Sequence, residues 1–234
     1  AFLDDSLKGK VKLSSANSIN IARLIPQTFY YFRAWQQAAQ TGKSLVVSVP
    51  SGNFGNITAG LIAKRMGLPI SHFIAATNAN DVVPEYLETA IYSPRASVPT
   101  ISNAMDVGAP SNFARMVNLY DNDWKRIRDD ISGYRFSDTE TRIALAEVYA
   151  TTGYLMDPHG AVAYLALKSW QADNPETTGV FFETAHPSKF LDVVEAVIGE
   201  TVDIPERLAT LADKTKEAIW LENEYLALKK YLLK

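Results

Sequence analysis

Apolar residues recur at helical spacing from Asn17 to Gln40, at Ile21, Leu24, Ile25, Phe29, Phe32 and Trp35. That period predicts a helix, which Pro26 kinks or divides. Thr41-Gly42-Lys43 ends it, and Ser44–Val49, almost continuously apolar, reads as a buried strand. The same reasoning predicts helices over 57–66, 81–90, 111–119, 122–132, 138–151, 159–173 and 187–198, and strands over 70–76 and 179–184. A brief strand is expected at Val11–Leu13 and a mainly helical tail over 205–232. Residues 91–112, with Pro94, Pro99, Gly108 and Pro110, read as a long irregular loop, the kind more often functional than idle. Strands alternating with helices imply an α/β fold with a mostly parallel sheet. The strands are few for this chain length, so the sheet is expected to be incomplete. The chain divides in this reading into 1–204 and a helical tail over 205–234.

Composition narrows the function. The 234 residues carry a net charge of −3 with no basic stripe, which argues against a nucleic-acid partner. No apolar run reaches the ~20 residues of a membrane span, and no secretory signal is visible. There are no cysteines, and the three histidines lack ligand spacing, so no metal site is expected. A cytoplasmic enzyme with a small anionic ligand fits these limits, since such a ligand needs one local pocket rather than a global charge. The aromatic set Phe29, Tyr30, Tyr31, Phe32 and Trp35 reads as core.

The chemistry concentrates after the first strong strand, in Ser51-Gly52-Asn53-Phe54-Gly55-Asn56. Glycines at 52 and 55 allow a tight turn and close approach of a ligand to the backbone. The N–H groups that open the following helix lack intrahelical partners and, with the helix dipole, suit an anion. The segment is neither a Walker loop nor a dinucleotide fingerprint. Residue types alone leave open a βα turn that uses Gly and Asn for geometry only.

The segment resembles the Ser/Thr-Gly-Asn-x-Gly-Asn phosphate loop of fold-type II pyridoxal-phosphate enzymes. Ser14–Leu24, Phe73–Asn78, Ser102–Val107, Asp157–Ala163 and Thr184–Phe190 resemble, in order, segments of the threonine synthases. The resemblance implies a three-layer fold with a mostly parallel sheet, pyridoxal 5'-phosphate as cofactor, and conversion of O-phospho-L-homoserine and water to L-threonine and phosphate. It implies that Ser51, Gly52, Asn53, Phe54, Gly55 and Asn56 cradle the cofactor phosphate and that Thr184 meets the pyridine nitrogen. It places Ser15, Asn17, Ser18, Asn20, Arg23, Asn103 and Asp106 around the substrate, with Arg23 the foremost contact to a substrate anion.

Two departures stand out. Glu183 occupies a position where the family often has Gly. The family's Schiff-base lysine, in a Lys-Asp-Phe-Ala-type motif upstream of the phosphate loop, has no counterpart: Lys8, Lys10, Lys12 and Lys43 stand in other contexts. The chain is therefore expected to be a C-terminal portion, inactive alone, that self-associates through the face the missing half would cover. Two other functions remain open: a related enzyme such as a threonine dehydratase or cysteine synthase, and a non-catalytic binder of phosphorylated metabolites.

Overall fold

A computed structural model describes residues 1–17, 20–212, 214–215 and 217–234. The chain forms two compact units, Ser18–Asp203 and a smaller one made of Ala1–Asn17 with Ile204–Lys234. In the smaller unit, helix α1 (Asp5–Lys8) is capped by the Asp4 carboxylate, which accepts from Ser6 N–H at 2.9 Å. The same carboxylate pairs with Lys229 at 2.7 Å and accepts from the Tyr225 hydroxyl at 2.5 Å. Those bonds, the lysine's first, hold its pKa well below the ordinary range. Val11–Leu13 forms no strand, and among the described residues of the tail α11 (Glu206–Ala212) and α12 (Tyr225–Leu232) are the helical segments.

The larger unit opens with helix α2 (Ile21–Leu24), a 3-10 turn through Pro26, and helix α3 (Thr28–Ala38). Pro26 divides the helix as its lack of an N–H requires. The sheet follows: β1 (Leu45–Pro50), β2 (Ile70–Thr77), β3 (Ile131–Arg135) and β4 (Thr178–Phe181), all parallel, in the order β3-β2-β1-β4. Its connections carry helices α4 (Gly55–Arg65), α5 (Val82–Thr89), α6 (Phe113–Leu119), α7 (Trp124–Asp130), α8 (Asp138–Thr152) and α9 (Pro158–Asp173). Helix α10 (Leu191–Ile198) follows the last strand, behind a 3-10 turn.

Strand alternation sorts the core into two faces. Leu45, Val47 and Val49 of β1 and Phe73 and Ala75 of β2 point to one side. There they pack with Tyr31 of α3, Ile57 and Leu61 of α4, and Ile127 of α7. Val46, Ile74 and Ala76 point to the other side, against Val162, Ala163 and Ala166 of α9. Ser48 points the same way as Val46 and stays satisfied in the dry core by donating to Ala163 O at 2.7 Å. Both faces are thus covered by helix, as an all-parallel sheet requires.

Two expectations here need correction. The helix expected over 122–132 stops at Asp130, and β3 begins at once. This strand was illegible because it is a short edge strand with Gly133 at its centre. Gly133 is there because α5 leaves no room: a Cβ would lie 2.7 Å from Pro84 Cα. The aromatic set of α3 is not core as a whole. Tyr31 is fully buried, whereas Phe29, Tyr30, Phe32 and Trp35 are exposed. A helix facing the sheet buries one stripe, and Tyr31 lies on it.

Substituting Gly133→Ala should cost about 1–3 kcal/mol through overpacking against α5. Urea denaturation should show a lower midpoint at unchanged slope.

Candidate functional site

Strand β1 ends at Pro50, and the chain turns through 51–54 into α4. Two bonds pin the start of this turn: Ser51 N–H donates to Ala76 O at 2.8 Å, and Ser51 Oγ donates to Val49 O at 2.8 Å. Phe54 then adopts a left-handed conformation (φ 59°), unusual for a bulky residue, and serves as the N-cap of α4. Its buried ring and the Thr58 bonds to its carbonyl hold it there. Asn53 fastens the outer side, its Oδ1 accepting from Ser111 N–H at 2.7 Å and its carbonyl from Asn112 Nδ2 at 3.0 Å. The Tyr31 hydroxyl lies 2.9 Å from both the carbonyl O and Oδ1 of Asn56, so α3 supports the start of α4 from below.

With every flank fastened, the N–H groups of Gly52, Asn53, Phe54, Gly55 and Asn56 donate to no acceptor among the described residues. Consecutive donors of this kind at the positive end of an eleven-residue helix form a candidate anion site. Close approach is enforced at Gly52, where a Cβ would come 2.7 Å from Ala104 O and 2.8 Å from Met105 Cα.

These residues form the floor of a cavity of about 960 Å³. Arg23, Phe29, Tyr30 and Arg33 of α2 and α3 line one side; Ala104, Met105 and His159 line another. Glu183 and Thr184, just beyond β4, also line it. The exposed aromatics of α3 thus include cavity wall. The Arg23 guanidinium makes no ion pair or hydrogen bond among the described residues. The cavity's lining carboxyl, Glu183, is pushed up to about 9, by burial first and then by the neighbouring Asp157. At neutral pH the described lining therefore carries Arg23 and Arg33 without a compensating carboxylate.

The Ala104–Met105 wall is held from two directions. Asp106 accepts from Asn78 Nδ2 at 2.9 Å, Thr100 Oγ1 at 2.7 Å and Thr100 N–H at 2.9 Å, tying the 98–106 loop to the end of β2. His159 Nε2 accepts from Ala104 N–H at 3.2 Å, which places the imidazole proton on Nδ1, 2.6 Å from Asp157 Oδ1. Asp157 is also the N-cap of α9, with Pro158 in its first turn. Burial works to raise the Asp157 pKa, but the His159 hydrogen bonds, with the neighbouring Glu183 carboxyl, outweigh it and hold the carboxyl below its ordinary value.

The structure brings together Ser51–Asn56, Thr184 and Arg23 around one cavity. Asn103 and Asp106 flank the wall without lining it; Asn103 is exposed. Asn20 accepts from Ala22 N–H and caps α2. Ser15 and Asn17 belong to the smaller unit, where Asn17 N–H donates to Ser15 Oγ at 3.2 Å. Ser18 lies outside the described residues. Sequence reasoning missed Arg33 and the support from Tyr31. The helical period carries Tyr31, which falls on the sheet-facing stripe; Arg33 reaches the cavity only through the placement of α3 after the Pro26 turn.

Fold and loop together define a class. The chain belongs to the family of pyridoxal-phosphate dependent enzymes, whose family model matches residues 8–181. Within that class its similarity is to the threonine synthases: the model "Threonine synthase, C-terminal" matches residues 160–232. Threonine synthase of Escherichia coli (strain K12) is 47% identical over 234 residues, covering 100% of this chain and 54% of that protein. The crystal structure of the E. coli threonine synthase superimposes with a TM-score of 0.91 at 46% identity, over 100% of this chain and 54% of that one. The structure of a PLP-bound threonine synthase from Brucella melitensis matches with a TM-score of 0.86 at 32% identity, over 99% of this chain and 55% of that one. The chain thus spans about half the length of these relatives.

Substituting Gly52→Ala drives a methyl group into the backbone of residues 104–105 and moves the cradle. Inorganic phosphate binding, followed by calorimetric titration, should weaken at least about tenfold, the loss of one or more hydrogen bonds to a charged group.

Proposed function

We propose that this chain supplies the phosphate cradle and part of the substrate wall of a threonine synthase, an enzyme converting O-phospho-L-homoserine and water to L-threonine and phosphate. The observation that carries this reading is the row of unpartnered N–H groups from Gly52 to Asn56 on the floor of a cavity lined by Arg23 and Arg33. That donor set, with no room for a Cβ at Gly52, fits a phosphate monoester dianion.

Pyridoxal 5'-phosphate, when bound, supplies the electron sink that the reaction needs. The chain's own residues bind and orient. The N–H groups of 52–56 hold the cofactor phosphate. The Thr184 hydroxyl has no partner among the described residues and meets the pyridine nitrogen; being a hydroxyl, it leaves the ring less strongly protonated than a carboxylate would. Arg23 takes the phosphate of the substrate as a charge-assisted contact. Asp106 and His159 hold the wall formed by Ala104 and Met105. Asn20 and Asn103, of the larger unit, belong to the substrate side of this reading.

Among the described residues no lysine lines the cavity. This chain therefore holds the cofactor without a covalent bond, and the amine comes from outside it. The cytoplasm as compartment belongs to the same reading; among the described residues no helix is long and apolar enough to cross a membrane. Self-association is proposed through α2, α3 and the turn between them, where Ile21, Ile25 and Phe32 remain exposed with Trp35.

Calorimetric titration of the chain should show pyridoxal phosphate binding, with pyridoxal weaker by at least about tenfold for want of the phosphate. Borohydride should fix no cofactor to the protein. Equal affinity for the two ligands would sink the cradle, and a reduced covalent adduct would sink the non-covalent reading. Light scattering should show a species larger than a monomer, which Phe32→Ser combined with Trp35→Ser returns to monomer.

A further inference from the structure

Glu183 stands between two cavities: the cofactor cavity and a second one of about 520 Å³ behind it, walled by Tyr149, Tyr154 and His186. Its Oε2 accepts from Asp157 N–H at 3.1 Å. Its Oε1 is buried and has no hydrogen-bond partner among the described residues. The carboxyl occupies space that only a glycine at 160 leaves open, since a Cβ there would come 1.9 Å from Oε1. Against it lies the Asp157 carboxylate, fully buried, which keeps room on Oδ2 for one more donor. Asp157 Oδ1 takes His159 N–H at 2.8 Å and His159 Nδ1–H at 2.6 Å, and Oδ2 takes Ala185 N–H at 3.2 Å.

Two ionised carboxylates in this arrangement would repel and leave Oε1 orphaned. A proton on Glu183 removes both problems, turning the orphan oxygen into a donor and the repulsion into a hydrogen bond. We propose that Glu183 and Asp157 share one proton, and that neutral Glu183 is the positioning residue that orients Asp157, His159 and, through them, the Ala104–Met105 wall. The chain of contacts runs from the segment bearing Thr184, through the start of α9, to the loop against which Gly52 packs. The consequence for ligand binding rests on the reading of the cavity given above; the shared proton does not. The other titratable groups around Glu183 are Tyr154 ahead of α9, Tyr149 of α8, His186 and Asp203, with Arg23 and Arg33 across the first cavity. No lysine or arginine lines the second cavity among the described residues.

Burial and Asp157 raise the Glu183 pKa from 4.5 to about 9 on folding. Within that window the folded chain holds one proton more than the unfolded chain, so this group's stabilisation is complete below the window and falls as pH rises through it. Infrared spectroscopy of the full chain at pH 7 should show the C=O stretch of a protonated, buried carboxyl. The band should titrate away near pH 9 and be absent from Glu183→Gln. Glu183→Gln, which keeps a donor, should retain His159 as the Nδ1–H tautomer in ¹⁵N spectra of the imidazoles. It should also lose the decline of stability with pH that wild type shows relative to it. Glu183→Ala should lose the single tautomer. The proposal is overturned by the absence of a protonated-carboxyl band at pH 7, by a band that survives Glu183→Gln, or by parallel stability–pH curves for wild type and Glu183→Gln. The wild-type infrared titration decides the matter even if the variants do not fold.

Discussion

Backbone N–H groups held at a strand–helix junction, with their flanks fastened and no acceptor among the described residues, suit an anion. The rest of the larger unit is arranged around that junction. β1 delivers the chain to the turn, Ala76 O and Val49 O anchor Ser51, Phe54 accepts a left-handed backbone, and Tyr31 reaches up from α3 to hold Asn56. None of these bonds uses the N–H groups of 52–56. Donors facing the cavity with no acceptor among the described residues are free to bond a ligand there. The core packing of Tyr31 and Phe54 keeps the turn from relaxing to satisfy those donors internally.

Electrostatics extends the same logic. A dianion binds best where no carboxylate opposes it. The described lining holds Arg23 and Arg33, and the pKa of its carboxyl, Glu183, is raised by burial first and then by the Asp157 charge beside it. Asp157 in turn spends its charge on His159 and Ala185 rather than on the cavity. One buried ionised group thus organises three elements: the N-terminus of α9, the segment after β4 and the 103–105 wall. Asp106 does corresponding work at the other end of that wall, gathering Asn78, Asn80 and Thr100.

Much of this was legible in the residues, for physical reasons that differ by element. Helices with long apolar periods and clear caps, such as α8 behind the Ser137–Glu140 capping box and α9 behind Asp157-Pro158, were placed to within a few residues. The tight turn at 51–56 was visible because its glycines and asparagines mark a strand–helix junction, with no room for a Cβ at Gly52. β3 was hidden because an edge strand built around Gly133 has neither strand propensity nor alternation; the close approach of Pro84 dictates it, and that is a tertiary fact. The aromatic stripe of α3 misled for a related reason. Its period reveals a helix but not which residues face the sheet and which face a cavity or solvent. The Glu183–Asp157–His159 relation was beyond reach, since residues 157 and 183 meet only once α9 and β4 lie side by side.

The account's central claim is that residues 52–56 receive a phosphate through their backbone. Amide ¹H–¹⁵N spectra of the chain during titration with pyridoxal phosphate test it most directly. Formation of charge-assisted hydrogen bonds predicts saturable downfield proton shifts at Gly52, Asn53, Gly55 and Asn56, reproduced in direction by inorganic phosphate. Saturation of the protein with those amides unmoved, while others shift, would contradict it.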